Sequence, residues 1–247
     1  MKRERLAKHS ITYDGTFEGF LSYIFYQYKN KYNTVSIDPS LSYKPTMSSQ
    51  QIDIVTNEDL SLRVLNGNIT KSSQREIKET YALFLSHEKG IESKIFERIS
   101  LILSKHNSIS DHYASKDHLA ALNQKIIREI ERIQNQITFH QMRNDISFGT
   151  IKPSFNILPL LVKHLKSKFS STNWILFDET RKYAIYHLHG NIRFIDQSEP
   201  ILSDPDFTPL KNNIHFPTLN PSATYSSPNR FNPNRNWLDI FQSFHNQ

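Results

Sequence analysis

Two carboxylates and one histidine are the side chains best suited to acid–base chemistry in this sequence. Asp14 and Glu18 lie four residues apart across a turn and the start of a helix, so both can face one site. Together with His140 they would suit the activation of water, as in the cleavage of a glycosidic bond. Structural roles are the alternative: Asp14 would form the turn, Thr16 would cap the helix and Glu18 would complement the helix dipole. His140 would then be a core histidine.

Other catalytic and metal-binding patterns are weak or missing. His187 and His189 share one face of a predicted strand, but the sequence offers no third ligand, so we expect no metal site. The chain has no cysteine, which excludes thiolate nucleophiles and iron–sulfur ligation by its own side chains. It also lacks a glycine-rich phosphate loop, a nucleophile elbow and the zinc-deaminase signature. The sequence therefore predicts no cofactor.

The charge of the chain favours anionic partners. A net charge of +6 and a pI of about 9.3 favour nucleic acid first and a membrane surface second. The cations suited to a phosphate backbone are predicted on two helices: Lys116, Lys125, Arg128 and Arg132, then Lys163 and Lys166. These cations are equally compatible with ordinary solvated helix faces, and the negative charges of Glu129 and Glu131 weaken the positive potential around them. Tyr23, Tyr26 and Tyr32 could stack on bases or belong to the core.

The length and apolar content bound the class of protein. A chain of 247 residues, 37% of them hydrophobic, can bury a core as one large domain or two small ones. No apolar run approaches the ~20 residues that span a bilayer, and the first ten residues lack the apolar segment of a signal peptide. We therefore expect a cytoplasmic protein that does not enter a membrane.

Apolar spacing predicts the helices that position these side chains. A stripe at three- and four-residue steps predicts one long helix from about Ala114 to Arg143. Its members are Leu119, Leu122, Ile126, Ile130, Ile133 and Ile137. The stripe leads on to His140, and Arg143 beside it is a candidate binding residue. Shorter amphipathic helices are predicted before it, with a short strand at 11–13 and a loop over residues 33–51.

The pattern changes from Ile146 onward. Strands are predicted at 148–151, 174–177, 183–188 and 192–195, with a helix at 158–169. Together these elements predict an α+β fold: a mostly helical irregular bundle with a small antiparallel sheet and a packed helix near the C-terminal part. We divide the chain into one domain over residues 1–200, with a helical body at 11–143 and a sheet part at 146–196, and a Pro-, Asn- and Ser-rich tail over 201–247. The amphipathic end of that tail could dock into a partner or onto its own body.

Six segments in a fixed order carry a family resemblance. They are YDGTFEGF from Tyr13, the stretch from Val55 to Val64, ALFLS from Ala82, FHQM from Phe139, NILPLL from Asn156 and WILFD from Trp174. In combination they resemble the bacterial family of SAM-linked DNA metabolism or DNA repair proteins, over roughly residues 10–190. The marked polar residues of that family fall on Tyr13, Asp14, Thr16, Glu18, His140, Asn156, His164, Trp174 and Asp178.

The resemblance implies partners rather than a reaction. Members of that family are paired with a radical SAM protein, and in some bacteria the same domain is joined to a uracil-DNA-glycosylase-like domain. DNA and a radical SAM protein are therefore the implied partners. Because this chain has no cysteine, the iron–sulfur cluster would belong to the partner.

This sequence departs from the family pattern near two of the marked residues. Gln141 stands where the family usually has Arg, and the connection over 142–153 is shorter by about one strand. The segment Pro153 to Asn156 reads PSFN, where the family normally reads Pro-Asp-His-Asn. If the missing Arg, Asp and His side chains are catalytic or bind phosphate, this protein has altered or lost that activity.

Two hypotheses of different classes follow. The first is a DNA-binding or adaptor subunit without catalytic activity that works with a radical SAM enzyme. The second is a metal-independent hydrolase or glycosylase that acts on damaged nucleobases and uses Asp14, Glu18 and His140. The two differ in one structural expectation, because only the second requires those three side chains to converge in one pocket.

Overall fold

The structure is a computed structural model that describes residues 7–40, 42–45, 49–69, 73–103, 113–141 and 146–196. These residues divide into two compact units, and the boundary in the sequence falls after Ile126. We call them the N-terminal unit and the C-terminal unit. The division into a domain over residues 1–200 and a tail stays a prediction. Arg143 and the tail over 201–247 lie outside the described residues.

The N-terminal unit is built on a parallel sheet of three strands. These are β1 (His9–Tyr13), β2 (Thr34–Pro39) and β3 (Gln50–Asp53), in the order β2-β1-β3. The helices are α1 (Phe17–Asn30), α2 (Glu58–Ile69), α3 (Gln74–Phe84) and α4 (Ile91–Leu103). Helix α1 connects β1 to β2, because parallel neighbours cannot be joined by a tight hairpin. Helix α5 (Tyr113–Gln136) runs across the boundary between the units.

Aromatic side chains fill the core of the N-terminal unit. The ring of Phe17 lies 5.1 Å from the rings of both Tyr81 and Phe84, and the ring of Phe20 lies 5.5 Å from that of Phe84. Phe17 and Phe20 are three residues apart on α1, as Tyr81 and Phe84 are on α3, so each pair shares one helix face. All four side chains are buried. Apolar spacing predicts inward positions for these four residues, and these are confirmed, whereas Tyr28 at the end of the same stripe on α1 is 45% exposed.

The C-terminal unit is built on a mixed sheet of five strands. These are β4 (His140–Gln141), β5 (Ile146–Ile151), β6 (Asn173–Asp178), β7 (Tyr183–Leu188) and β8 (Asn191–Asp196), in that order across the sheet. Strands β5 and β6 are parallel and the other pairs are antiparallel. Helix α6 (Leu158–Lys168) makes the crossover that the parallel pair requires.

The α+β class is confirmed, and three details differ from the prediction. The sheet of the C-terminal unit is mixed rather than antiparallel, because α6 returns the chain for a parallel pairing. Residues 34–39, predicted as loop, form β2, whose Ser, Asp and Pro residues hide the alternation of a strand. The long helix ends at Gln136 rather than at Arg143. Among the described helices, none has the length and apolar composition of a membrane span.

The early end of α5 is linked to the packing of Phe139. Its ring lies 4.8 Å from the ring of Phe169 and 5.9 Å from that of Trp174, so it packs within the C-terminal unit. A Cβ atom at Gly149 would lie 2.8 Å from the carbonyl oxygen of Thr138 and 3.1 Å from the ring of Phe139. The chain after α5 therefore passes directly over β5, and only a residue without a side chain fits beneath it.

We predict that Gly149→Ala lowers the free energy of unfolding by about 1–3 kcal/mol, the usual cost of forcing an extra carbon into a packed site. This cost outweighs the gain of under about 1 kcal/mol that Ala brings by restricting the unfolded chain. Equilibrium denaturation in urea measures the change. Thr150→Ala, at an exposed neighbouring position, serves as the control and should change stability by less than about 0.5 kcal/mol. A Gly149→Ala protein as stable as the wild type would contradict the close approach.

Candidate functional site

The polar turn after β1 lies at the position where open parallel sheets bind ligands. In the order β2-β1-β3, the direction of chain progression reverses between β1 and β3, and ligand sites form outside the carboxyl ends of strands at such a point. Asp14 follows β1 there. Its Oδ1 accepts hydrogen bonds from the backbone N–H and the hydroxyl of Thr16, at 2.9 and 2.7 Å. Its Oδ2 accepts one from the hydroxyl of Thr56, after β3, at 2.7 Å.

Gly19 completes the motif that Asp14 and Thr16 begin, because its backbone N–H is bonded there and a side chain would not fit. The Thr16 side chain caps α1 by accepting a hydrogen bond from the backbone N–H of Gly19 at 3.0 Å. A Cβ atom at Gly19 would collide with Oδ1 of Asp14 and would lie 2.8 Å from the hydroxyl of Thr56. The turn, the cap and the glycine therefore form one hydrogen-bonded unit. In this geometry Asp14 and Thr16 have the structural roles that the sequence left open.

Tyr13 and Glu18 point away from that turn into the core. The Tyr13 hydroxyl donates a hydrogen bond to Oε1 of Glu92 at 3.0 Å. Four polar side chains are buried in this region: Tyr13, Glu18, Tyr81 and Glu92. Burial, and then the carboxylate of Glu18, hold the pKa of the Tyr81 hydroxyl far above its ordinary value. Two carboxylates and two phenols are therefore enclosed among aromatic rings.

In the C-terminal unit, buried charges hold the loop between β5 and α6. The carboxylate of Glu129 accepts hydrogen bonds from the backbone N–H groups of Ser154 and Phe155, at 2.8 and 2.9 Å. Arg181 donates to the carbonyl oxygens of Pro153 and Ser154, at 3.2 and 2.6 Å. We call Glu129, Asp178 and Arg181 the loop clamp.

Asp178 anchors the clamp at the carboxyl end of β6. It is fully buried, and its carboxylate accepts hydrogen bonds from the backbone N–H groups of Thr180 and Arg181 and from the Arg181 guanidinium at 3.2 Å. Burial raises the pKa of the Asp178 carboxyl, while Arg181 and these hydrogen bonds oppose the rise. The Asn156 amide oxygen accepts a hydrogen bond from the hydroxyl of Tyr183, which pairs with Asp178 across β6 and β7. Asn156 and Asp178 thus belong to one polar network.

Trp174 and the nearby histidines form a second cluster. The Trp174 indole is buried, donates a hydrogen bond to the Phe169 carbonyl oxygen at 3.2 Å and stacks on the His187 ring at 5.5 Å. The His187 Nδ1 lies 2.8 Å from the Thr172 carbonyl oxygen, so this nitrogen carries a proton. His189 is exposed, and no group of three metal ligands occurs among the residues described. These contacts give His187 a structural role.

His164 lies on α6 with its ring partly buried. Its Nε2 atom is buried and has no hydrogen-bond partner in the described part of the chain. Burial, and then the charge of Lys168, lower the pKa of this imidazole. His164 is therefore neutral over a wider pH range than an ordinary histidine.

The expectation that His140 continues a buried helical stripe is wrong. The residue lies on β4, pairs with Phe148 and is exposed. The chain leaves α5 four residues earlier, so helical spacing no longer determines where this side chain points. Asp14 and Glu18 belong to the N-terminal unit and His140 to the C-terminal unit. Convergence of the three side chains, and a catalytic role for them, stay predictions.

The predicted nucleic-acid residues are all exposed, and they lie in a chain whose charge is unevenly distributed. They are Lys116, Lys125, Arg128, Arg132, Lys163 and Lys166. The described part of the N-terminal unit has twelve Lys and Arg residues against twelve Asp and Glu residues. The described part of the C-terminal unit has nine against five. Two of those five acids, Glu129 and Asp178, are buried.

Sequence reasoning misses the residues that organise both networks. The charge pattern presents Glu129 only as an acid that dilutes a basic helix, whereas it is buried and binds two backbone N–H groups. Arg181 lies in the short polar connection between β6 and β7, and no sequence pattern marks it as a residue that holds a loop. Glu92 lies on a helix face where only its apolar neighbours are informative. An inward position for Glu129 could have been found, since it lies three residues after Ile126 and four before Ile133 on the apolar stripe.

The fold and these networks define a protein of the α+β class with polar groups gathered at the carboxyl ends of parallel strands. The chain belongs to the family of the domain of unknown function DUF4130, whose model matches residues 89–247. No curated protein matches the sequence.

We predict that Arg181→Met lowers the free energy of unfolding by about 3–5 kcal/mol at pH 7, because it leaves Asp178 buried without its counter-charge. Loss of Arg181 raises the pKa of Asp178 further, so the carboxyl takes up a proton more readily as the pH falls. A protonated Asp178 carries no unpaired charge, and the effect of the mutation should shrink from pH 7 towards pH 4. Urea denaturation at both pH values measures this.

Arg193→Met is the matched control for this experiment, because Arg193 is an exposed arginine of the same unit. It should change stability by less than about 0.5 kcal/mol at either pH. An Arg181→Met effect that does not depend on pH would assign the clamp to its backbone contacts alone and contradict a role for the Asp178 charge.

Proposed function

We propose that this protein binds DNA in a DNA repair or DNA metabolism pathway and acts as an adaptor for a radical SAM enzyme. In this proposal the C-terminal unit holds the phosphate backbone of a duplex. The observation that carries the proposal is the surplus of exposed cations on that unit.

The surplus of cations in the described part of the C-terminal unit remains when the ion-paired residues are left out. Asp178 is buried and paired with Arg181, and Glu129 is buried and contacts Arg132, so neither acid projects an unbalanced negative field. In the described part of the C-terminal unit, the exposed cations that form no ion pair with a described residue are Arg128, Lys152, Lys163, Lys166, Lys168 and Arg193. Lysines and arginines on such a surface can replace counterions along a phosphate backbone, which gives affinity without sequence specificity.

The biological setting comes from the family resemblance. Membership of the DUF4130 family is compatible with it but assigns no function. The motifs from Tyr13 to Asp178 resemble proteins that are paired with a radical SAM enzyme. A chain without cysteine cannot ligate the iron–sulfur cluster of such an enzyme itself, so the chemistry would lie in the partner. An adaptor that brings this partner to DNA accounts for both features.

A hydrolase or glycosylase is the second candidate, and one observation favours it. Glu18 is a buried carboxylate close enough to Tyr81 to raise the pKa of its hydroxyl, and buried acids of this kind recur at catalytic sites. Against it, both oxygens of Asp14 are engaged by Thr16 and Thr56. The DNA-binding proposal requires neither carboxylate to be reactive.

We predict that Lys163→Gln together with Lys166→Gln weakens the binding of a DNA duplex. Each phosphate that the protein no longer neutralises should reduce the slope of log affinity against log salt by about 0.9. Fluorescence anisotropy with a labelled duplex, titrated at several salt concentrations, measures both quantities. The matched control is Lys44→Gln together with Lys89→Gln, which removes two exposed lysines from the charge-balanced N-terminal unit.

Three outcomes of this experiment are informative. A reduced slope in the Lys163 and Lys166 variant alone would support the proposal. Equal slopes in the two variants, or no duplex binding by the wild type at low salt, would contradict it. Cleavage of a uracil-containing oligonucleotide that Glu18→Gln abolishes would establish the hydrolase instead.

The adaptor role makes a separate prediction about the partner. A tagged full-length chain should retain a radical SAM protein from the cell in which both occur, and the Lys163 and Lys166 variant should retain as much as the wild type. Nuclease treatment before capture distinguishes direct association from co-recovery on DNA. Loss of the partner after nuclease treatment would contradict the adaptor role but would not contradict DNA binding.

A further inference from the structure

The end of α1 presents an exposed aromatic ring among lysines. Residues 26–32 read YQYKNKY, which alternates tyrosines with basic and amide residues. Tyr28 is 45% exposed, whereas most large aromatic side chains of the N-terminal unit are buried or half-buried. Lys29 and Lys31 are both exposed, and neither forms an ion pair within the parts of the chain that are described. We call residues 28–32 the tyrosine turn.

The tyrosine turn is held in shape by its own hydrogen bonds. Lys31 ends the helix in the left-handed conformation, with φ of 52°, and its backbone N–H donates to the Gln27 carbonyl oxygen at 2.9 Å. The Gln27 amide donates to the Tyr32 carbonyl oxygen at 3.0 Å and accepts from the Thr34 hydroxyl at 3.1 Å. The Asn30 amide donates to the Tyr32 hydroxyl at 2.5 Å. A ligand would therefore meet a surface that is already ordered, which reduces the entropic cost of binding.

The two tyrosine rings of the turn are backed by other rings. Tyr28 lies 6.2 Å from the ring of Phe96 on α4, and Tyr32 lies 5.6 Å from the ring of His9 on β1. The Tyr28 ring contacts Phe96 in a tilted arrangement and is 45% exposed, so part of the ring is accessible to a planar ligand.

We infer that the tyrosine turn binds single-stranded nucleic acid by stacking an unpaired base on Tyr28 while Lys29 and Lys31 contact the neighbouring phosphates. A base in a duplex has neighbours on both faces, so only an unpaired base offers a free face to Tyr28. Lys29 is adjacent to Tyr28 in the last turn of α1, and Lys31 follows at the cap of the same helix. This surface belongs to the N-terminal unit and is independent of the cations proposed to hold a duplex.

Other anionic partners fit the turn less well. An acidic peptide would use the two lysines but would gain little from an exposed ring. A membrane surface attracts tyrosine and lysine together, but stable binding uses a wide apolar face, and Tyr28 is the one exposed large hydrophobic side chain of the turn. Stacking plus phosphate contact uses both features of the turn.

The test uses the full chain and a labelled oligothymidylate of about 15 nucleotides, followed by fluorescence anisotropy. Tyr28→Leu should weaken binding by about 5- to 150-fold, the equivalent of the ~1–3 kcal/mol that one base–aromatic stack provides. Tyr28→Phe keeps the ring and should bind like the wild type. Lys29→Gln with Lys31→Gln should reduce the salt slope by about 0.7 for each phosphate of the single strand that is no longer neutralised.

The controls separate this inference from the proposed function. Tyr43→Leu, at another partly exposed tyrosine of the same unit, and Lys89→Gln should leave single-strand binding unchanged. Duplex binding should respond to the Lys163 and Lys166 changes and not to Tyr28→Leu, so either site can fail alone. Wild-type affinity in Tyr28→Leu, or an equal loss in Tyr43→Leu, would overturn the inference. Tyr28-dependent binding to vesicles with anionic lipid, without binding to the oligonucleotide, would assign the turn to a membrane surface instead.

Discussion

Parallel strands cannot be joined by a hairpin, so each parallel pair in this protein depends on a connection that returns the chain across the sheet. Helix α1 makes that return between β1 and β2, and α6 makes it between β5 and β6. A crossover of this kind leaves the carboxyl ends of neighbouring strands side by side. In the N-terminal unit that end carries the turn with Asp14, and in the C-terminal unit it carries the loop clamp. The polar networks of both units are therefore consequences of the same topological constraint.

The loop clamp shows how charge is used inside the C-terminal unit. Glu129 and Asp178 are buried acids that accept hydrogen bonds from backbone N–H groups and pair with arginines. Burying a charge is costly unless it is paired and hydrogen-bonded, and here each carboxylate accepts at least three hydrogen bonds. Glu129 pairs with Arg132 and Asp178 pairs with Arg181, so the clamp leaves the surplus of unpaired cations on this unit unchanged.

The sequence predicted those parts of the fold that depend on neighbours along the chain. The amphipathic helices α1 and α3 and the helix α6 all follow from spacing within a few residues. The failures involve partners far away in the sequence. Phe139 leaves the helical pattern because it packs against Phe169 and Trp174, and β2 is a strand because β1 pairs with it. The spacing of residues within one helix or strand does not show which distant residues they pack against.

The same distinction applies to the candidate sites. Asp14, Thr16 and Gly19 can be recognised as one motif because they lie within six residues of each other, and the structure joins them by hydrogen bonds. The clamp cannot be recognised, because the end of α5, three strands and the helix α6 separate Glu129 from Arg181 in the sequence. Their partners are backbone groups, which leave no mark in a sequence. Tyr28 is not distinguished by the sequence either, since the apolar stripe of α1 offers no reason to separate it from the buried rings.

The way in which the clamp holds its loop bears on the choice between binding and catalysis. The hydrogen bonds that Glu129 and Arg181 form with residues 153–155 go to backbone atoms, so these bonds do not require particular side chains at positions 154 and 155. The family resemblance implies Asp and His at these two positions. Here Ser154 and Phe155 occupy them, and neither side chain titrates near neutral pH. A loop that keeps its anchors while it lacks acid–base groups is compatible with a protein that retains a binding surface and leaves the chemistry to a partner.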